Sequence, residues 1–238
     1  MTPPLLDAGC ALFLDVDGTL LHIAARPQDV RVDDALLAVI VRLHARLEGA
    51  LAVVSGRPVR ELDALLAPLV LPCAGQHGVE RRDAQGALHT CAAPAPAAAA
   101  RQLASFAAAH PGLIFEDKGA SLAVHYRLVP ALEDRVRAEM TALAAALGPA
   151  VQLLEGKMVF ELKPAGLDKG VAIARFMSEA PFHGRLPVFV GDDLTDEYGF
   201  AEVNRLGGCS VKVGAGETCA RVRMPGVDAV QRWLASSR

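Results

Sequence analysis

The sequence predicts an α/β fold, a parallel sheet flanked by helices and carrying a smaller α+β insert, and three features predict it. Residues 11–14, 50–54 and 186–190 are short apolar runs, and each breaks into a polar or Gly-rich turn, "DVDGT", "SGRP" and "GDDLTD". An amphipathic helical pattern follows each turn. Between the second and third of these units the pattern changes to an α-β-β-α-β-β order.

Each apolar run is too short for a helix and too continuous for a half-exposed strand, which suits strands buried on both faces of a parallel sheet. In such sheets the ligand site lies beyond the carboxyl ends of the strands, so the three polar turns are expected to converge there. In the middle of the chain, residues 92–110 read as a Pro/Ala linker feeding a helix, and residues 113–115 and 121–127 as strands. A second helix is expected over 130–147, with Pro130 at its start and Gly148 past its end. Residues 151–154 and 158–163 read as two more strands. The organisation expected is therefore a core over 1–91, an α+β insert over 92–165, and the rest of the core over 166–238.

Composition narrows the function. The chain has 238 residues, 52% of them hydrophobic, and a net charge of −3. A sizeable core is possible, and there is no basic footprint for nucleic acid. No secretory leader is visible at the start, and no window has the ~20 apolar residues needed to span a bilayer. The five cysteines are scattered without a CxxC pair, as expected of a cytoplasmic, reduced protein. A monomer with no membrane partner is expected. Among the histidines, His22, His44, His89, His110 and His183 lack metal-pair spacing and are assigned no chemistry.

Asp15 and Asp17 stand one residue apart where the first strand ends. One Asp in such a turn is ordinary, because its side chain bonds nearby amides. Two repel each other unless a cation or shared proton relieves them, and hard oxygen ligands suit Mg²⁺. Asp192 and Asp193 follow a different strand, and capping of the next helix, a role suited to Asp196 or Glu197, does not account for two adjacent acids at the strand end. Asp15, Asp17 and Asp192 are thus the expected metal ligands.

A phosphorylated substrate at such a site needs donors as well. Ser55, ahead of Pro58, is expected with its neighbouring amides at a helix N-terminus suited to an anion. Lys169 opens a helix, where the dipole disfavours a cation, so an anionic partner is expected for it. Thr19 adds a hydroxyl and an amide. Together these residues describe phosphoryl transfer to Asp15, with Lys169, Ser55 and Thr19 binding the phosphoryl group. Asp17 would protonate the leaving oxygen and then activate water. No ATP-binding glycine loop is present, so water is the expected acceptor.

"DVDGTL", "SGR", the Lys of "DKG" and "GDDLTDE", in this order, resemble the four motifs of haloacid dehalogenase superfamily phosphatases. The resemblance implies a Rossmann-like, doubly wound core, Mg²⁺ bound in part through the Asp17 backbone carbonyl, and an α+β cap inserted between the second and third motifs. In the insert, alternation puts His125 and Arg127 on one strand face and Leu122, Val124 and Tyr126 on the other. Lys157, Glu161 and Lys163 likewise oppose Met158, Phe160 and Leu162. Mixed charges of this kind can both accept from and donate to a polyol.

"GQHGVERRD", "EDKGASLAVHYR" and "GKMVFELKP" further resemble the trehalose-6-phosphate phosphatases. That resemblance implies Glu116, Lys118, Arg127, Lys157 and Glu161 as holders of the glucose units, a trehalose 6-phosphate substrate, and a hinge or rim at residues 75–78. It also marks Asp168 as a departure, since Asn commonly precedes the Lys in that family. Hydrolysis of another sugar phosphate and a non-catalytic sugar-phosphate sensor are the alternative readings.

Overall fold

The computed structural model describes residues 3–24, 29–91 and 95–237. They divide into two compact units, the first within residues 1–90 and 168–238 and the second within residues 91–167. The run "CALFL" is buried at every position and forms β1 (Cys10–Leu14). After it come α1 (Asp34–Arg46), capped by the Asp33 carboxylate on the Leu36 amide, then β2 (Leu51–Val54) and α2 (Val59–Leu66). Three short strands complete this pass: β3 (Cys73–Gly75), β4 (Glu80–Arg82) and β5 (Leu88–Thr90).

The chain then enters the second unit. Its elements are α3 (Ala97–Ala108), β6 (Ile114–Asp117), β7 (Leu122–His125), α4 (Glu133–Leu147), β8 (Val151–Gly156) and β9 (Val159–Pro164). Residues 92–94 of the expected linker lie outside the described residues. On its return the chain forms α5 (Lys169–Met177), β10 (Leu186–Gly191), α6 (Asp196–Arg205), β11 (Cys209–Val213), β12 (Val222–Met224) and α7 (Val227–Ser236).

The first unit holds one sheet in the order β12-β11-β10-β1-β2-β3-β4-β5. From β12 to β3 every pairing is parallel; β4 and β5 extend the sheet antiparallel. The chain winds outward from β1 through β2 and β3, then resumes on the other side of β1 with β10. This reversal makes the carboxyl ends of β1 and β10 the switch point of a doubly wound sheet, where such folds bind ligands. Phe13, Phe176 and Phe182 pack in a buried group with centroids 5.0–5.9 Å apart, one pair stacked and two tilted, which holds α5 against β1.

The second unit pairs its strands antiparallel in the order β6-β7-β9-β8. One face carries Leu122, Val124, Phe160 and Leu162, which join Leu103 of α3 and Val136, Met140 and Leu143 of α4 in a separate apolar core. Register puts Glu116 beside Ala123 and Ala123 beside Glu161, so these residues line the face without helices.

Three local expectations change. Residues 130–132 form a 3-10 turn and α4 begins at Glu133, because a proline sets the turn without continuing an α ladder from before it. Residues 157 and 158 are the turn of the β8–β9 hairpin, with Met158 at φ 63°, so Lys157 is not on the strand face that holds Glu161 and Lys163. β7 ends at His125, and Arg127 lies beyond the strand.

Candidate active site

Because β1 and β10 run parallel with Leu14 beside Val190, the residues after them emerge side by side. The Asp15 amide donates to the Val190 carbonyl at 3.0 Å and continues the ladder one step past the strand. The consequence is a cluster: one carboxylate oxygen from each of Asp15, Asp192 and Asp196 lies within 4.8 Å of the others, and all three residues are buried.

Lys169 is the first residue of α5 and is 2% exposed, against the usual placement of a cation at a helix start. Its ammonium donates to Asp15 Oδ1 at 2.7 Å and to Asp196 Oδ1 at 2.6 Å. The helix start itself is capped by Asp168, whose carboxylate accepts from the Val171 amide at 2.8 Å. Asp168 is therefore committed to the helix end and answers its dipole.

Burial pushes the Asp15 carboxyl well above the usual range; Lys169 opposes this, and the charges of Asp196 and Asp192 add to it. For Lys169, burial alone would lower the ammonium, but Asp15 and Asp196 outweigh burial and hold it above its ordinary value. With all three acids ionised, three negative charges meet one positive charge. A divalent cation would cancel the remainder, and the donors are all hard oxygens, so the cluster is compatible with a metal site.

The loops are shaped for this proximity. Asp196 Oδ2 accepts from the amides of Asp192 and Asp193, each at 2.8 Å, so the acid at the start of α6 reaches back to fold the loop before it. A Cβ on Gly191 would lie 2.3 Å from Asp196 Cγ. A Cβ on Gly18 would lie 2.1 Å from Asp192 Oδ2, and Gly18 sits at φ 87°. Only glycine meets both demands at position 18. Beside it the Thr19 hydroxyl donates to Asp192 Oδ1 at 3.3 Å.

Asp17 is arranged differently. Its carboxylate is held bidentately by Arg57, with Nε donating to Oδ2 at 2.6 Å and Nη2 to Oδ1 at 2.7 Å. The third carboxylate of the cluster is that of Asp196. Ser55 is buried at the end of β2, and its Oγ accepts from the Arg57 amide at 3.2 Å. It does not sit at a helix N-terminus as expected: α2 starts four residues later, and its first amide, Val59, donates to Glu80 Oε2 at 2.8 Å. A carboxylate from β4 thus fills the anion position of that helix. Residues 75–78 brace the same loop, with the Gln76 and His77 amides donating to the Arg57 and Ser55 carbonyls, each at 3.0 Å.

In the second unit, the helix-free face of the sheet carries paired charges. Lys118 Nζ lies 2.6 Å from Glu161 Oε2, with both side chains buried. His125 Nε2 lies 2.8 Å from Glu116 Oε2. Arg127 donates to the Lys157 carbonyl at 3.0 Å, at the hairpin end of the sheet.

A family model described as trehalose-phosphatase matches residues 13–224, which span the four motifs and the whole insert. The chain belongs to the trehalose-phosphatase family. A trehalose-6-phosphate phosphatase of Escherichia coli (strain K12) is 48% identical over 243 residues, 98% of this chain and 90% of that protein. A crystal structure of a trehalose-6-phosphate phosphatase related protein superimposes with a TM-score of 0.77 at 28% identity, over 94% of this chain and 95% of that one. A haloacid dehalogenase-like hydrolase from B. subtilis, only 13% identical, shares the fold, with a TM-score of 0.66 over 95% of this chain and 99% of that one.

Within this trehalose-phosphatase fold, three residues stand at the site without having been singled out for it. In sequence, Asp196 or Glu197 is suited to capping α6; the signal for the place of Asp196 in the cluster is three acids within residues 192–196. Arg57 was legible only as part of "SGR", and its partner Asp17 lies 40 residues away. Lys212, whose Nζ donates to the Asp192 carbonyl at 2.7 Å, sits in "SVKVG", where alternation reads as an ordinary outward lysine.

Proposed function

We propose that the chain hydrolyses trehalose 6-phosphate to trehalose and phosphate through an aspartyl-phosphate on Asp15. The observation that carries this reading is the buried Lys169 ammonium bridging Asp15 and Asp196 at the switch point of the doubly wound sheet. Asp15 attacks phosphorus, forming one P–O bond as the bond to the sugar oxygen breaks, and Asp17 gives that oxygen its proton. Asp17 then takes a proton from water, whose oxygen attacks phosphorus and releases phosphate from Asp15. Arg57 takes one lone pair of each Asp17 oxygen, which orients the carboxylate and leaves a lone pair on each oxygen for the proton. Lys169, Ser55 and Thr19 stabilise the transferring phosphoryl group.

Mg²⁺ is the metal proposed, held by the Asp15 and Asp192 carboxylates and the Asp17 backbone carbonyl; when bound it would neutralise charge on the phosphoryl oxygens. Asp196, whose oxygens already serve Lys169 and two amides, orients the set.

Residues 92–165 are proposed as the cap, with Glu116, Lys118, Arg127, Lys157 and Glu161 holding the glucose units. The pairing of cations with carboxylates on the helix-free sheet face supports this, because such pairs offer donors and acceptors to a polyol together. We place the enzyme in the cytoplasm as a monomer without nucleic-acid or membrane partners. Support comes from the free state of all five cysteines, the net charge of −3, and the lack, among the described residues, of a helix long and apolar enough to cross a membrane.

The test is phosphate release from trehalose 6-phosphate, sucrose 6-phosphate and glucose 6-phosphate, with and without Mg²⁺, for the unaltered chain and Asp15→Asn. Trehalose 6-phosphate is expected to be the best substrate, and Asp15→Asn to lose about a thousandfold or more in turnover while still binding it. Unchanged release by Asp15→Asn would remove the nucleophile; equal rates on all three sugars would remove the substrate.

A further inference from the structure

We propose that Lys212 is a positioning residue for the metal site, holding the Asp192 peptide so that its carboxylate stays turned toward Asp15; this rests on the phosphatase reading above. Lys212 lies on β11 opposite Gly191 of β10 and is 4% exposed. Its ammonium makes one hydrogen bond among the described residues, to the Asp192 carbonyl at 2.7 Å. Burying a long cationic side chain for one bond is costly, so the placement calls for a reason beyond packing.

The geometry supplies the reason. The loop after β10 has its amides at 192 and 193 fixed from one side by Asp196 Oδ2. Its first carbonyl is fixed from the other side by Lys212. With N–H and C=O both held, the peptide on either side of Asp192 cannot rotate, and the carboxylate is aimed without spending binding energy on ordering the loop.

The charge of Lys212 is balanced locally. Glu197 Oε1 lies 3.9 Å from the ammonium, and it accepts no hydrogen bond among the described residues. Glu197 Oε2 accepts from the Cys219 amide at 2.9 Å, which fixes the carboxylate in place. What reaches Asp192 is therefore chiefly the hydrogen bond, and repulsion of a bound cation by Lys212 is offset.

The experiment is calorimetric titration of Mg²⁺ alone into the full chain, compared with Lys212→Met and Lys212→Gln, with KM for trehalose 6-phosphate measured at saturating Mg²⁺. Lys212→Met keeps the apolar stem and is expected to bind Mg²⁺ about 10–100-fold more weakly, with KM unchanged. Lys212→Gln keeps an N–H donor without the charge and is expected to recover part of that loss. Mg²⁺ affinity in Lys212→Met equal to or tighter than in the unaltered chain overturns the proposal, as does a Lys212→Gln no better than Lys212→Met. If Lys212→Met does not fold, Lys212→Gln decides alone, by binding Mg²⁺ more weakly than the unaltered chain or failing to. An unaltered chain that binds Mg²⁺ but releases no phosphate defeats the phosphatase reading and leaves Lys212 in place; one that binds no Mg²⁺ defeats both.

Discussion

Replacing Lys169 by Met removes the cation from the carboxylate cluster while keeping most of its buried stem. Lys169 lies 2.7 Å from Asp15 Oδ1 and 2.6 Å from Asp196 Oδ1, and all three side chains are nearly inaccessible to water. At an effective dielectric of about 20, each such contact is worth roughly 6 kcal/mol. Desolvating the ammonium offsets much of this, and proton uptake by Asp15, already pushed up by burial, limits the rest. The net expectation is a loss of about 3–5 kcal/mol, the usual cost of removing one partner from a buried pair. For a chain of this size that lowers the melting temperature by roughly 6–20 °C. The assay is scanning calorimetry with a chelator present, at two pH values, one high and one low. A carboxyl whose folded value is raised binds more protons folded than unfolded, so its penalty is greatest at high pH and fades as pH falls. The Lys169→Met deficit should therefore shrink at the lower pH. A variant that melts like the unaltered chain at the higher pH, or whose deficit is the same at both, would refute this account.

In the insert, Lys118→Met should destabilise by about 3–5 kcal/mol, because Glu161 loses its ammonium partner, while Lys118→Met with Glu161→Leu should be much milder; melting curves check both. Glu161→Ala should raise KM for the disaccharide phosphate more than for a small aryl phosphate, and equal increases would remove the sugar contact. Burial alone would raise the Glu116 carboxyl, but the His125 hydrogen bond and the Lys118 charge outweigh it and hold the group below its ordinary value. Its contribution to stability is thus fully present above the usual Glu range near ~4.3 and is lost as pH falls through the lowered value. Carboxyl NMR titration should place the Glu116 midpoint below that range and move it upward in His125→Ala.

Much of this site was readable because its chemistry is local in sequence. Asp15, Lys169 and Asp192 each stand at a strand end or helix start that hydrophobic patterning marks, and a parallel sheet brings such ends together. What patterning misses is side-chain direction across long separations. Asp17 and Asp15 share a turn, yet one carboxylate goes to Arg57 and the other to Lys169. Nothing in "DVD" distinguishes them. Alternation also failed where a hairpin turn interrupts it: Lys157 and Glu161 have matching parity in sequence, but the left-handed Met158 between them ends the pleat. The strands β3, β4, β5 and β12 are three residues long, too short for periodicity to register against their polar and Gly neighbours.

The pairing of β1 with both β2 and β10 has a consequence for biogenesis. During synthesis β2 reaches β1 early, whereas β10 emerges only after residues 55–185 have been made. At ribosomal rates of about 5–20 residues per second, that leaves one edge of β1 waiting for roughly 7–26 s. The waiting edge runs through Ala11, Leu12, Phe13 and Leu14, an apolar row of the kind that templates aggregation when left open. During the same interval the insert can condense around its own Leu103, Met140 and Phe160 cluster, independent of that edge. A nascent chain stalled before residue 186 would thus carry a finished insert and an unfinished sheet, and the central strand of the mature enzyme would be its most exposed liability.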